Sequence, residues 1–261
     1  MFGQIGPTEF DLRFSLLGVP VRVHPIFWLS SAFLVWRLAN QDLLLVLVGV
    51  LSIFFSVLVH EMGHALVTRK YGWNSEIVLY FFGGYATSMR HSTWRDIAVS
   101  AAGPGAGFLF FFAIWIPCYL MGLVVPDEKL FSWIQVDPTV TLRWPEAIKW
   151  GTRANEVILF AIGVSFFFNL AVNILNLLPV EPLDGGQISR ELFCFFRRKD
   201  GYRLHLGLGI LISGGIALSA VNAHFQGQSF FGFAPGFFAL MFGYLCFQNV
   251  QAYQAHKRGP W

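Results

Sequence analysis

Charged side chains are scarce in this sequence. Asp, Glu, Lys and Arg make up 13% of its 261 residues, whereas hydrophobic residues make up 55%. The mean hydropathy is +0.57, and the apolar residues form long runs without the period-two alternation of half-buried strands. These features exclude an ordinary soluble domain. They predict an all-α polytopic membrane protein with about six transmembrane helices, surrounded by the lipid bilayer.

Cysteine is also rare, and the charges of the two signs nearly balance. Cys118, Cys194 and Cys246 lie in apolar segments without C-x-x-C spacing, which argues against a disulfide framework or a thiolate zinc site. The net charge is only +3 and the basic residues cluster between the apolar runs, so no nucleic-acid partner is expected. Because the first two dozen residues lack a continuous apolar core, a cleaved signal peptide is not expected either.

One apolar run, from Leu43 to about Thr68, contains the motif His60-Glu61-x-x-His64 near its C-terminal end. Histidines four residues apart lie on one face of a helix, so both imidazoles can bind one zinc ion while Glu61 acts as a general base. A chance match and a purely structural cluster of paired side chains are the alternatives. Ionisable side chains at the bilayer centre cost about 2.5 kcal/mol or more each, which favours a metal site.

A later apolar run, residues 157–178, carries an amide stripe. Asn169, Asn173 and Asn176 are spaced by four and three residues, so they lie on one face of the predicted helix. Amides in a membrane need partners. For the first two, hydrogen bonding between helices and a functional role are both open.

The stretch NLLPVEPLDGG, residues 176–186, ends that run with two prolines and two glycines. It places the carboxylates of Glu181 and Asp184 at membrane depth, where irregular backbone is tolerated only against protein or a water-filled cavity. We therefore expect a third metal ligand in this stretch.

Two short β-hairpins are predicted in addition to the helices. Residues 10–24 alternate apolar and polar side chains around Leu17-Gly18, which predicts a hairpin at the membrane surface. Residues 77–89 predict a second hairpin around Gly83-Gly84. Either this hairpin offers an edge strand that binds an unwound substrate at Gly83 and Gly84, or it only packs on the first hairpin as a small sheet.

The remaining predicted elements are helices. The spans are expected at 26–39, 43–68, 97–125, 157–178, 204–221 and 230–250, with an interfacial helix at 187–203 and a loop at 126–154. Small residues around Gly103-Pro104-Gly105 favour close approach of another helix. The predicted divisions are an N-terminal hairpin arm (1–25), a catalytic membrane core (26–186) and a C-terminal part (187–261).

The basic residues predict the orientation. With six spans both termini lie on one side, and 13 of the 18 Lys and Arg residues fall in the segments of that side, which the positive-inside rule makes cytosolic. Spans two and four then both run toward the cytosol, so His60, His64 and Asp184 are expected near the cytosolic ends of parallel helices. The predicted location is a cell membrane, the bacterial inner membrane, with both termini cytosolic.

The chain resembles the site-2 protease family of intramembrane zinc metalloproteases. The resemblance covers roughly residues 10–200 and rests on two motifs, His60-Glu61-x-x-His64 and Asn176-x-x-Pro179-x-x-x-Leu183-Asp184-Gly185. It also includes the segments 18–25, 82–85 and 102–104. Without a large insert between spans two and three, or a soluble domain after span six, the pattern resembles the compact sporulation-type branch and not the branches with PDZ or CBS domains.

This resemblance implies a function and residue roles. The chain would be a zinc-dependent intramembrane endopeptidase that cleaves a membrane-embedded or membrane-associated protein substrate near the cytosolic face. One zinc ion per chain would be held by His60, His64 and Asp184. Glu61 would be the general base, and Asn176 would lie near the scissile carbonyl or its oxyanion.

Two other functions stay open, a non-catalytic membrane scaffold or transporter and a different membrane zincin with a ligand from a later helix. The second is disfavoured because only Glu191 and Asp200 follow Asp184 as acidic residues. Glu181 competes with Asp184 for the ligand role, and the resemblance favours Asp184 because a zinc-bound carboxylate belongs with the Leu-Asp-Gly of the motif. The sequence identifies neither the substrate nor a regulatory membrane partner.

Overall fold

A β-hairpin begins the described part of the chain. The computed structural model describes residues 6–36, 38–81, 83–86, 92–121, 152–227 and 235–258. Strands β1 (Leu12–Leu16) and β2 (Val19–Val23) pair antiparallel around Leu17 and Gly18, whose φ values are 51° and 77°. The predicted first hairpin is therefore confirmed.

The second hairpin extends the first into one sheet. β3 (Ile77–Tyr80) pairs parallel with β2 and antiparallel with β4 (Gly83–Ala86), so the strand order is β1-β2-β3-β4 and the two hairpins form one sheet. The turn differs from the prediction, since Gly83 and Gly84 lie inside β4. The chain reverses earlier because Phe81, with a φ of 51°, adopts the positive φ that the glycines were expected to supply. Residues 87–89 lie outside the described part.

Helices make up most of the described chain, and one of them is interrupted. The fourth helix continues through a π-helical turn (Phe168–Val172) into the fifth, an irregularity that the sequence did not predict. The helices are α1 (Pro25–Trp36), α2 (Leu43–Lys70), α3 (Thr93–Leu120), α4 (Thr152–Phe167), α5 (Asn173–Asn176), α6 (Asp184–Phe196), α7 (Gly201–Phe225) and α8 (Pro235–Arg258).

Four segments among the described residues are long and apolar enough to cross a membrane. They are Leu43–Lys70, Thr93–Leu120, Arg153–Asn176 and Gly201–Phe225, and they correspond to predicted spans two to five. The predicted first span is α1, which is apolar but only 12 residues long, and the predicted sixth corresponds to α8. The count of six spans stays a prediction. Of the predicted loop 126–154, residues 126–151 lie outside the described part.

The helix α2, which carries the H-E-x-x-H motif, has clear signals at both ends. Asp42 Oδ1 accepts hydrogen bonds from the backbone N–H groups of Leu44 and Leu45, at 2.9 and 3.2 Å, and so caps the N-terminus. Arg69 lies in the last turn, where the helix dipole favours a cation, and its Nη1 donates at 3.1 Å to the carbonyl of Leu17. The C-terminal end of α2 is thereby tied to the first hairpin.

The predicted interfacial helix begins and ends earlier than expected. Instead of residues 187–203, α6 covers Asp184–Phe196, and α7 already begins at Gly201. A Cβ atom at Gly201 would overlap the carbonyl of Phe193, so this glycine allows the tight bend between the two helices. The amphipathic pattern located the helix but not its ends.

The chain forms two compact units, each with its own core. The described part of the first comprises 6–86, 101–121 and 152–174, with the gaps given above. Its core joins the sheet to α1, α2 and α4, with side chains such as Val21, Phe27 and Ile53 at most 2% exposed. The H-E-x-x-H motif therefore lies on a well-packed helix.

The second unit contains the described residues 92–100, 175–227 and 235–258. Val180, between α5 and α6, is completely buried there against a core that includes Phe238 and Phe242 of α8. The irregular stretch that precedes Asp184 is thus part of a hydrophobic core. The three predicted divisions of the chain stay predictions.

The first hairpin contains a carboxylate with a low pKa. Thr8 donates to Asp11 through its hydroxyl at 2.6 Å and its backbone N–H at 2.9 Å, and Arg22 Nη1 donates at 3.1 Å. Burial alone would raise the pKa of Asp11, but these hydrogen bonds and the charge of Arg22 lower it from 3.8 to about 2.

We predict that Asp11→Asn lowers the thermal unfolding midpoint of the detergent-solubilised protein at pH 7. A depressed folded-state pKa contributes stability above the unfolded-state pKa of 3.8, and this contribution is lost as the pH falls toward about 2. The difference between wild type and variant should therefore shrink over that pH range. Glu9→Gln, at an exposed neighbouring position, is the control; a difference of constant size at every pH contradicts the assignment.

Candidate metal centre

The two histidines of the motif converge on one point. His60 and His64 are 7% and 8% exposed, and their Nε2 atoms lie 3.2 Å apart. Two nitrogens about 2.0–2.1 Å from a tetrahedral zinc ion lie roughly 3.3 Å from each other, so this spacing fits a shared ion. The predicted convergence of the imidazoles is confirmed, and it follows because residues i and i+4 lie on the same face of a helix.

A hydrogen bond from the neighbouring helix fixes the orientation of His60. Its Nδ1 lies 2.7 Å from Oδ1 of Asn173, and the amide Nδ2 of Asn173 donates to the carbonyl of Asn169. Because the amide oxygen is the acceptor, Nδ1 carries the proton and donates it, which leaves the lone pair of Nε2 for a metal. Asn173 therefore selects the tautomer that a metal ligand needs.

A second contact repeats this pattern one turn earlier. Asn169 Nδ2 donates to Oγ of Ser56 at 2.8 Å. Ser56 and His60 are four residues apart on α2, as Asn169 and Asn173 are on the partner helix, so the two helices run in the same direction. Of the two roles left open for Asn169 and Asn173, both asparagines are therefore found in hydrogen bonding between helices. The π-helical turn includes Asn169, and such turns often occur at functional sites.

Glycines of α3 make room for these polar side chains. A Cβ atom at Gly103 would overlap the ring of His64, and one at Gly107 would overlap the amide of Asn173. Gly63, inside the motif, likewise lies against the backbone of Ala102. The predicted close approach to α3 is confirmed. The sequence did not identify the side chains that approach, because small residues indicate close packing without indicating the partner.

Asp184, which lies in the second unit, is the predicted third ligand, and this role stays a prediction. Asp184 is the first residue of α6, and Gly185 and Gly186 follow it directly against the carbonyls of Leu177 and Val180. Two imidazole nitrogens and one carboxylate oxygen are a donor set that suits zinc with one position left open.

The competing carboxylate, Glu181, is engaged elsewhere. Its Oε1 accepts a hydrogen bond from Arg190 Nη1 at 3.0 Å and lies 3.5 Å from Nε2 of His205. The sequence alone left Glu181 and Asp184 as neighbours of equal chemistry. These contacts with α6 and α7 favour Asp184 as the metal ligand.

The other predicted site residues lie on α2, α5 and β4. Glu61 is buried, with 5% of its surface exposed, next to His60 on α2. Asn176 is the last residue of α5, directly before the irregular stretch. Gly83 and Gly84 lie in β4. The catalytic and substrate-binding roles of these four residues stay predictions.

An H-E-x-x-H motif on a helix apolar enough to cross a membrane, with four such segments among the described residues, is typical of a membrane zinc metalloprotease. Residues 48–213 match the family model described as peptidase family M50. This match covers more than half of the chain, so the chain belongs to that family, the site-2 proteases. The predicted family resemblance is confirmed.

Individual relatives agree with the family. A Synechocystis protein that carries a zinc metalloprotease name is 29% identical over 193 residues, 68% of this chain and 42% of that protein. Stage IV sporulation protein FB of Bacillus subtilis is 25% identical over 177 residues, 66% of this chain and 47% of its own length. The chain thus spans less than half the length of these curated relatives.

A solved structure shares the fold. The site-2 protease from Methanocaldococcus jannaschii superimposes with a TM-score of 0.55 and 21% sequence identity, over 94% of this chain and 95% of that one. The helical membrane architecture is therefore that of a known fold.

We predict that Asn173→Leu weakens zinc binding by about 10- to 100-fold, the usual effect of removing a hydrogen-bond partner of a ligating histidine. Asn173→Asp keeps an acceptor oxygen for His60 Nδ1 and should retain most of the affinity. Competition with a chelator measures both. Ser52→Ala, which removes a hydrogen bond to Val48 within α2, is the matched control; equal affinity of the Leu variant and wild type contradicts the role of Asn173.

Proposed function

We propose that this protein is a zinc-dependent intramembrane endopeptidase. The observations that carry the proposal are the match to the protease family and the convergence of His60 and His64, with Glu61 beside them on a helix apolar enough to span a membrane. Asp184 is the proposed third ligand. These three residues would hold the zinc ion, one per chain. When bound, zinc supplies Lewis-acid chemistry, which activates water and polarises the scissile carbonyl.

Glu61 transfers the proton, and Asn176 orients the scissile carbonyl. Glu61 accepts a proton from the attacking water and delivers it to the leaving amine, as a general base and then a general acid. Burial at 5% exposure keeps bulk water away from this carboxylate. Asn176 donates from its amide to the oxygen of the scissile carbonyl, where negative charge develops.

The orientation follows from the positive-inside rule. The end of α2 carries Arg69 and Lys70, and the segment after α6 carries Arg197, Arg198 and Lys199. On this basis both termini face the cytosol in the bacterial inner membrane, and the metal centre lies toward the cytosolic side. The parallel course of α2 and α4 supports the same arrangement of spans.

The substrate is a membrane protein whose cleaved segment lies in or on the bilayer. A helix hides its carbonyl groups in its own hydrogen bonds, so the substrate must unwind before hydrolysis. β4 is the last strand in the order of the described sheet, and an extended segment can pair with it by β-augmentation. Gly83 and Gly84 carry no bulky side chains that would hinder this approach.

We predict that Glu61→Gln retains one zinc ion but lowers the cleavage rate by about 10²- to 10⁴-fold, because it removes the general base and leaves the ligands in place. Asp184→Ala should lose both zinc and cleavage. Elemental analysis of detergent-purified protein and cleavage of a reconstituted membrane-helix substrate measure the two effects.

Asp42→Asn is the matched control for these variants. It makes the same acid-to-amide change as Glu61→Gln at the N-cap of α2, about 27 Å from His60 along the helix, and asparagine caps a helix as well as aspartate does. It should keep zinc and cleavage. Wild-type protein without bound metal would contradict the protease function and favour a membrane scaffold.

We predict that proline substitution in β4 separates substrate binding from metal binding. The pairing of Tyr80 with Gly83 gives Gly84 and Ala86 the positions whose N–H groups point away from β3. Proline there removes a donor that an incoming strand needs, so Gly84→Pro and Ala86→Pro should slow cleavage at unchanged zinc content.

Alanine at position 84 and serine at position 86 keep the N–H groups and serve as controls. Unchanged cleavage in both proline variants would show that the free edge of β4 does not bind the substrate.

A further inference from the structure

A buried polar cluster lies in the second unit, apart from the proposed ligands. His205 of α7 is 0% exposed. Its Nδ1 lies 2.7 Å from Oγ of Ser189; because the Ser189 hydroxyl donates its one hydrogen at 3.0 Å to the carbonyl of Gly186, Nδ1 is the donor to Oγ. Its Nε2 lies 3.5 Å from the carboxylate of Glu181 without making a hydrogen bond to it. Burying a histidine in an apolar helix costs free energy, so such a residue is expected to have polar partners and a function.

Glu181 receives contacts from three helices at once. Arg190 of α6 donates to its carboxylate at 3.0 Å, His205 of α7 faces the same oxygen, and Asn249 of α8 donates to its backbone carbonyl at 2.9 Å. Asn249 is itself buried, at 1% exposure. The residue three positions before Asp184 is therefore held through both its side chain and its backbone.

The backbone around this residue is packed just as closely. A Cβ atom at Gly185 would overlap the carbonyl of Leu177, and one at Gly209 of α7 would come within 3.4 Å of the carbonyl of Pro179. Val180 has no exposed surface. The stretch 177–186 thus folds back on itself and against α7, so its position is set by the C-terminal helices.

We propose that His205 is a positioning residue for the metal centre: with Arg190 and Asn249 it holds Glu181, and through this stretch it fixes the place where Asp184 enters the site. The proposal rests on the proposed role of Asp184 as a zinc ligand. Ligand distances must be correct to about 0.2 Å, so a loosened stretch costs metal affinity even when all three ligands remain.

The test compares two substitutions of similar volume. His205→Leu fills the space without polar contacts, whereas His205→Gln can donate from its amide NH₂ group to Ser189 or to Glu181. We expect about a tenfold or greater loss of zinc affinity for the Leu variant, as for outer partners of metal ligands, and recovery of most of it for the Gln variant. Chelator competition measures the affinity, and thermal unfolding of the zinc-free proteins measures the packing.

A matched control lies on the same helix. Ser213→Ala removes a buried hydrogen bond to the carbonyl of Gly209 without touching the stretch before Asp184, and should keep the zinc affinity. Glu181→Gln and the double variant with His205→Leu complete a cycle. If both residues act on one stretch, the zinc affinity of the double variant should equal, within about twofold, that of the single variant that binds zinc less tightly.

The outcomes separate this proposal from the proposed function. If wild type binds zinc and Asp184→Ala loses it while His205→Leu binds as tightly as wild type, the positioning role is wrong and the protease function stands. Equal losses in the Leu and Gln variants would indicate packing alone and would also overturn the proposal. Zinc-free wild type would overturn the proposed function itself.

Discussion

Every polar side chain at membrane depth must find a partner, and this constraint shapes the metal centre more than the metal-binding motif itself does. His60 and His64 would be costly on an isolated apolar helix. Here an amide from the parallel helix holds His60, and a glycine of α3 makes room for His64. The same constraint explains why the carboxylate of Glu181 lies beside Arg190 and His205. The polar groups are thus arranged in two networks, one around the imidazoles and one around the stretch that carries the third carboxylate.

These networks assign different tasks to neighbouring residues of the same type. Asp184 and Glu181 are three residues apart, yet Asp184 begins α6, whereas the side chain of Glu181 contacts Arg190 of α6 and His205 of α7. Asn173 and Asn176 are also three apart, and the first has its amide committed to His60 and to the carbonyl of Asn169. Closeness in sequence therefore does not determine which contacts these side chains make. Their contacts depend on the helix that each side chain faces, which follows from the π-helical turn and from the bend before α6.

The sequence predicted the features that depend on local periodicity. The i, i+4 histidines, the capped apolar helix that carries them and the first hairpin follow from spacing alone. Three features escaped because tertiary contacts decide them. Phe81 adopted the positive φ, which shifted the expected glycine turn into β4. The interfacial helix ends early, at a bend where Gly201 packs against the carbonyl of Phe193. The engagement of Glu181 required His205, 24 residues away on a helix whose sequence looks like any apolar span.

The parallel pairing of β2 with β3 has a consequence for the order of folding. Parallel strands need a crossover connection, and here that connection consists of α1 and α2. Val21 and Ile77, which are partners in this register, are separated by the whole helix that carries the motif. The sheet therefore cannot close until α1, α2 and β3 have been synthesised, because such a non-local contact must wait for the chain between its strands. Until then, β2 has no partner on the edge that later pairs with β3.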